Sequence, residues 1–306
     1  MSTRGITWPD YQLCDKKSTL KRAVASLISA PAIIIDCEGD TLGKQGGSLS
    51  VISLCSAITT NIFLIDVIKL RSSLSPLFNL LQSTKVVKIM FDGRMDFSAL
   101  YHEFGVHLRN VIDLQLVDIH SRQSRGETDV TRISRLSPFL NPRHIALMPD
   151  FYAGAIKLNG LSQCIEEHLG LSGFKKSTVN HDNWLDRPLS NDYLSYAAAD
   201  IRLMGLLYDE FSVKGYTNYP GLCGESVRYV ELWKNDQPVP GDLYKSHPLL
   251  PLEILYSYPN SIRRGCSGCK RFLSQASFRG NGIRCLVCKV VKKKGLHKNQ
   301  KKKLTR

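Results

Sequence analysis

The chain has 306 residues, 43% of them hydrophobic, enough to bury the core of one large domain and leave a small appendage. Lysine and arginine number 41 against 27 acids, and the formal net charge of +14 favours a polyanionic partner over a small acidic or neutral substrate. No apolar run approaches the roughly 20 residues that span a bilayer, and the opening MSTRGITWPDYQLCDKK carries no hydrophobic signal segment, so no membrane partner and an intracellular location, nucleus or cytoplasm, are expected.

Residues 1–28 read as an N-terminal extension. The first strand runs from Ala32 to Cys37, on the β-branched Ile33, Ile34 and Ile35, and leads into a glycine-rich loop, TLGKQGGSLS. Two further strands, SVISLCSA and NIFLIDVI, follow across a short polar turn and predict an antiparallel meander. A helix in SPLFNLLQS then precedes a fourth strand, KVVKIMF, a helix from Asp96 to Phe104 and a short strand at Asn110–Ile112. The polar, arginine-rich stretch from Ser121 to Asp150 shows no sustained period and reads as a loop or lid. Helical spacing resumes from Lys157 to Gly170, with Leu158, Leu161, Ile165 and Leu169 as its apolar face. A longer amphipathic helix follows Pro188, with Ser190 or Asn191 as N-cap, and ends near Phe211.

Composition then shifts. Six of the thirteen prolines fall between Gly215 and Pro259, giving a connector over 215–262 with one helical candidate, ESVRYVELWKN, whose Val227, Val230 and Trp233 have the spacing to dock on a core. Cys266, Cys269, Cys285 and Cys288 form C-x2-C-x15-C-x2-C, the spacing of a tetrahedral thiolate site for one structural Zn2+, within a module at 263–290 too small to fold on apolar burial alone. Phe278 is placed between the two cysteine pairs, and Lys270, Arg271, Arg279 and Arg284 give the module a basic surface suited to nucleic acid or, equally, to a protein partner. The other five cysteines, Cys14, Cys37, Cys55, Cys164 and Cys223, have no such spacing and read as packing residues. From Lys289 to Arg306 there are nine basic residues and no acid; this tail, 291–306 in the domain scheme, suits nucleic-acid contact or nuclear import.

The chemistry concentrates in four acids and a tyrosine on three segments. Asp36 and Glu38 end the first strand two residues apart, so both carboxylates face one way and Cys37 the other. Tyr196 and Asp200, four apart in YAAAD, share one helix face. FDGRMD supplies two further acids, Asp92 and Asp96, at the start of an apolar helix. Carboxylates drawn together repel unless a hard cation lies between them, and oxygen ligands suit Mg2+ or Mn2+.

These three motifs, in this order, resemble the tyrosine subclass of the DEDD 3'-5' exonucleases, similar to ribonuclease D and the Werner exonuclease domain, and the lead-in Arg187, Pro188, Leu189 strengthens the third. The resemblance covers about the first two-thirds of the chain and implies a ribonuclease H-like α/β fold, a mixed sheet flanked by helices, over residues 29–214. It implies two Mg2+ or Mn2+ ions held by Asp36, Glu38, Asp96 and Asp200, with Tyr196 holding the attacking water. A tyrosine of ordinary pKa about 10 is a poor base at neutral pH, so positioning suits it better than proton removal. Asp96 is preferred to Asp92 because the family's acid sits where an apolar helix begins; Asp92 is left to cap or orient that helix. The implied activity is removal of nucleotides from the 3' end of single-stranded or overhanging RNA or DNA. The alternative is a catalytically silent nucleic-acid adaptor on the same fold, as in some members of the Egalitarian-like branch. Retention of all four acids and the tyrosine favours activity.

Overall fold

The computed structural model describes residues 10–59, 61–138, 140–171, 179–256, 258 and 260–293. Within them the chain forms two compact units, one from the described residues up to Asp118 with Gly160–Pro240 and one from Ile119–Asn159 with the described residues from Gly241 on. Residues 1–9 of the expected extension and 294–306 of the basic tail lie outside the described residues.

The first unit is built on a six-stranded mixed sheet in the order β1-β4-β3-β2-β5-β6, comprising β1 (Tyr11–Cys14), β2 (Ala32–Asp40), β3 (Ser48–Ser56), β4 (Ile62–Asp66), β5 (Val87–Met90) and β6 (Val111–Asp113). β2, β3 and β4 pair antiparallel, and β5 and β6 continue the sheet in parallel from β2. This is the meander followed by a β-α-β unit that the sequence predicts. β1 was not anticipated: it is a short edge strand parallel to β4, followed by α1 (Lys17–Leu27), whose Leu20, Ala23, Val24 and Leu27 enter the core. That core holds Ile33, Ile35, Leu54, Ile65, Leu77 and Phe97, all fully buried, from both halves of the sheet and from α3 (Ser75–Gln82) and α4 (Arg94–Phe104), which follow the short α2 (Val67–Leu70). α5 (Leu114–Ser124) leaves the end of β6.

The expected loop at Ser121–Asp150 is instead largely helical. After α5 come α6 (Asp129–Ser134), α7 (Pro142–Leu147) and α8 (Pro149–Tyr152), each six residues or fewer and thus too short to show a hydrophobic period in sequence. α9 (Leu161–Leu169) turns Cys164, Ile165 and His168 inward, a face displaced from the leucine stripe expected, because buried His168 pairs with buried Asp118 at 2.9 Å. α10 (Asn191–Val213) is the long motif helix, with Ser190 at its N-cap position. α11 (Leu222–Val230) and the 3-10 turn Glu231–Trp233 bury Val230 and Trp233, with Tyr229 and Ser226 also inward, while Val227 stays half-exposed. Cys14, Cys37, Cys55 and Cys164 are buried packing residues; Cys223 is exposed on α11, contrary to expectation, because it lies opposite that inward face.

The second unit joins 156–158 to 248–250 through Leu158 N–H donating to Pro248 O and Leu250 N–H donating to Ile156 O. Its β7 (Arg263–Gly265) and β8 (Phe272–Ser274) form an antiparallel hairpin, and residues 286–293 are helical. No described helix is long and apolar enough to cross a membrane.

Candidate active site

β2 carries the first two acids. Asp36 pairs with Ser53 and Glu38 with Val51, which sets both side chains on one face and sends Cys37 into the core. The register then slips, so that Gly39 faces Leu49 and Ser50 becomes the extra residue of a β-bulge. Gly39 is required by the close approach of β3: a Cβ there would sit 2.2 Å from Ser48 O. Freed from the ladder, Ser50 turns to a neighbouring segment; its Oγ donates to Trp184 O at 2.5 Å and accepts from Arg187 Nη2 at 3.0 Å.

Arg187 also grips Asp66 at the end of β4 with two bonds, Nε to Oδ2 at 2.8 Å and Nη2 to Oδ1 at 3.1 Å. This buried fork fixes the stretch leading into α10 against the sheet. α10 then lies close to β2, β3 and β4, because Ala197, Ala198 and Ala199 are its buried residues at that level and Gly205 leaves only 3.4 Å between a hypothetical Cβ and Ile34 Cδ1. Small side chains let the helix approach. Asp200 thereby reaches the β2 acids: Asp36, Glu38 and Asp200 each offer a carboxylate oxygen within 4.8 Å of the others. Tyr196, one turn earlier, is half-buried, and burial first, then Asp200, Glu38 and Asp36, drives its hydroxyl well above the ordinary tyrosine range.

Asp96 is in the first turn of α4 and buried, and its Oδ1 accepts the Cys37 N–H at 2.8 Å, between the two β2 acids. It stands beside the three-oxygen cluster without being one of its members. Burial raises its carboxyl to about 7, against the pull of the Cys37 N–H. The thiol of Cys37 is pushed well up by burial and then by Asp96, Asp36 and Glu38, the three carboxylates around it. Asp92 is used differently: Arg94 Nε and Nη2 donate to its two oxygens at 2.5 and 2.8 Å, and Tyr229 Oη donates at 3.2 Å. These bonds tie Asp92 to the first residue of α4 and to α11. The glycine-rich loop is tied to the same helix, since Ser98 Oγ donates to Gly43 O at 2.6 Å and Gly43 has a φ of +69° against Met95.

Three residues of this site escape sequence reasoning. Ser50 had no signal, its role arising from a bulge. Asp113, fully buried, accepts the N–H groups of Asp92 and Gly93 at 3.2 and 2.9 Å and so supports the start of α4; only its place at a strand end marks it. His181 is exposed, with its ring edge-on to Tyr196 at 5.6 Å and its Nδ1 accepting from the Trp184 indole at 3.3 Å. An indole only donates, so the neutral imidazole carries its proton on Nε2.

The donor set is all oxygen, with at least three carboxylates converging, which fits Mg2+ or Mn2+ and not a thiolate-preferring ion. In the second unit, Cys266, Cys269, Cys285 and Cys288 bring four buried sulfurs within 4.8 Å. Gly268 N–H and Cys285 N–H donate to Cys266 Sγ at 3.4 and 3.3 Å, and hydrogen bonds from Cys269, Cys285 and Cys288 draw the Cys266 thiol far below its ordinary value. Four sulfurs with N–H support fit a tetrahedral metal. Lys270 takes a φ of +62° in the first cysteine knuckle, and Phe278 is buried beneath the Arg264 guanidinium, 4.6 Å from its ring centre.

The family model described as 3'-5' exonuclease matches residues 11–215. The Egalitarian protein homolog of Caenorhabditis elegans is 27% identical over 233 residues, 61% of this chain and 40% of its own length. The chain thus spans well under half of that curated relative. The crystal structure of Trypanosoma brucei RNase D superposes with a TM-score of 0.61 at 21% identity, covering 89% of this chain and 96% of that one. Its complex with RNA U12 gives 0.60 at 22% identity, covering 89% and 86%.

Proposed function

The chain belongs to the 3'-5' exonuclease family, and from that premise we propose that it hydrolyses the terminal phosphodiester at the 3' end of a single strand, RNA in the first instance, by a two-metal mechanism. The observation that carries the proposal is the meeting of Asp36, Glu38 and Asp200 oxygens within 4.8 Å, with Asp96 hydrogen-bonded to the strand between the first two. RNA is favoured because RNase D of T. brucei, similar in fold, has been crystallised with RNA U12.

Asp36, Glu38, Asp96 and Asp200 would hold two Mg2+ or Mn2+ ions, which when bound supply Lewis-acid stabilisation of the attacking and leaving oxygens. Tyr196 stays protonated, so its hydroxyl can donate to or orient a water but cannot take its proton. The Arg187–Asp66 fork and the Ala197–Ala199 face fix α10 so that Tyr196 and Asp200 keep their distance from β2. The four cysteines would hold one structural Zn2+.

The test is digestion of 3'-labelled and 5'-labelled single strands of RNA and DNA with Mg2+ or Mn2+. The parent should shorten strands stepwise from the 3' end. Asp36→Ala and Asp200→Ala should each lose about 4 kcal/mol of transition-state stabilisation, roughly a thousandfold in rate, with unchanged circular dichroism. Undiminished turnover in both variants would refute the assignment; an inactive parent that binds RNA tightly would favour the silent adaptor.

A further inference from the structure

The second unit contains a cavity of about 440 Å3 lined by Phe151, Ile283, Arg284, Lys289, Lys292 and Lys293. Four of these six are cations and none is an acid, while Phe151, the 63% exposed Ile283 and the lysine stems give it an apolar wall. We infer that this cavity binds one nucleotide of a single-stranded nucleic acid, its phosphate among Arg284, Lys289, Lys292 and Lys293 and its base against Phe151 and Ile283.

Three observations support that occupant. The cavity is of nucleotide size, within the range of small-ligand pockets. Among the described residues none of these cations is ion-paired with an acid: Arg284 lies over the Tyr244 ring at 5.7 Å, and Lys289 Nζ donates to the carbonyl oxygen of Arg279 at 3.3 Å. A cluster of cations with no acidic partner favours an anionic ligand. The aromatic wall is also fixed, because Arg279 packs 5.4 Å from the Phe151 ring centre and donates to Asp150 O, and Tyr152 meets Phe151 edge-on at 5.0 Å. Gly282 keeps the floor open; a side chain there would begin 2.6 Å from Lys289 Nζ. An acidic peptide would satisfy the cations but leave the aromatic and aliphatic wall unused, whereas a polynucleotide alternates phosphate and π-face and uses both.

The biological purpose, a second grip on the strand being trimmed, rests on the exonuclease reading; the binding itself does not. The experiment uses the full chain carrying Asp200→Asn, to prevent degradation, and a labelled unstructured RNA of about 16 nucleotides, long enough to occupy several contacts, followed by fluorescence anisotropy across a salt series. Adding Lys289→Gln, Lys292→Gln and Lys293→Gln should weaken binding at least about tenfold at low salt and reduce the slope of log affinity against log salt by about 0.7, the value for the one phosphate that the cavity holds. Phe151→Ala should weaken binding by roughly fivefold to a hundredfold with the slope unchanged. Zinc content is measured in each variant, so that loss of the module is not mistaken for loss of the cavity. Parent-like affinity and slope in zinc-replete triple variant would overturn the inference, as would displacement of the RNA by polyglutamate at equal charge concentration, which would mark a protein-docking surface. Dinucleotide hydrolysis by the chain with Asp200 intact separates the two claims. An inactive parent whose strand binding still depends on the three lysines sinks the exonuclease reading alone.

Discussion

The two units place their metal-binding side chains in opposite relations to the fold. In the first, acids stand at the end of β2 on a sheet whose interior is already closed by Ile33, Ile35, Leu54, Ile65 and Phe97. The fold precedes the site, and the carboxylates spend stability that the apolar core supplies. In the second, residues 263–293 bury little besides Leu273, Phe278, Val287, Val290, Val291 and the four cysteine sulfurs. There the thiolate cluster stands where a core would be. Oxygen donors clustered on a stable sheet are a device for chemistry; sulfur donors clustered in a short hairpin and helix are a device for folding.

Stripping metal is the most severe way to break that contrast. A strong chelator, or Cys285→Ser, should remove a contribution on the order of 10 kcal/mol from the cysteine module. Amides of 263–293 should then exchange freely in hydrogen-exchange mass spectrometry, while β2 to β5 stay protected even though the same chelator strips any divalent ion from the carboxylates. Protection lost in both regions, or retained in both, would show that the two donor clusters do not differ in this way.

A smaller effect sharpens the description of the first unit. Arg187→Ala leaves the Asp66 carboxylate, 2% exposed, without its forked partner, and breaking a buried pair from one side costs about 3 kcal/mol. It also releases Ser50 and the Trp184 carbonyl, both held by the same guanidinium. Urea denaturation followed by Trp fluorescence should show the loss; a change under about 1 kcal/mol would mean that water screens the pair as it does at a surface.

How much of this was legible in the sequence follows from which residues act through local pattern. Asp36 with Glu38, and Tyr196 with Asp200, sit at spacings that their own strand or helix converts into a shared face, and the cysteine pairs announce themselves in the same way. Asp96 could be chosen over Asp92 only because an apolar helix begins there, and the structure bonds it to Cys37. Ser50, Asp113 and His181 gain their contacts from a bulge, a strand end and a 3-10 turn brought together by the tertiary fold, and no periodicity encodes that. β1 is four residues at a sheet edge, and α6 to α8 are too short to establish a helical period.

The mildest test compares the units through the sign of their buried carboxylates. Asp113 of the first unit is raised to about 7 by burial and then by Asp92, despite the N–H groups of Gly93 and Gln115 that it accepts. With an ordinary value of 3.8, it binds its proton more tightly in the folded state than in the unfolded one, so its contribution is fully present below 3.8 and drains away as pH rises through about 7. Glu253 of the second unit runs the other way: burial works against its ionisation, but hydrogen bonds from Ser274 and Ser277 and the nearby Arg263 prevail and hold it below the ordinary value. Its contribution is present at neutral pH and lost as acid protonates it. In metal-free protein, Asp113→Asn should therefore flatten the decline of first-unit stability between pH 3.8 and about 7, by at most about 1.4 kcal/mol per pH unit, whatever constant offset the substitution adds. Glu253→Gln should instead flatten the acid limb of the metal-loaded second unit. The measurement is hydrogen-exchange protection of each unit across pH, corrected for intrinsic exchange, and slopes of the same sign in both would show that burial alone sets the ionisation of these two acids.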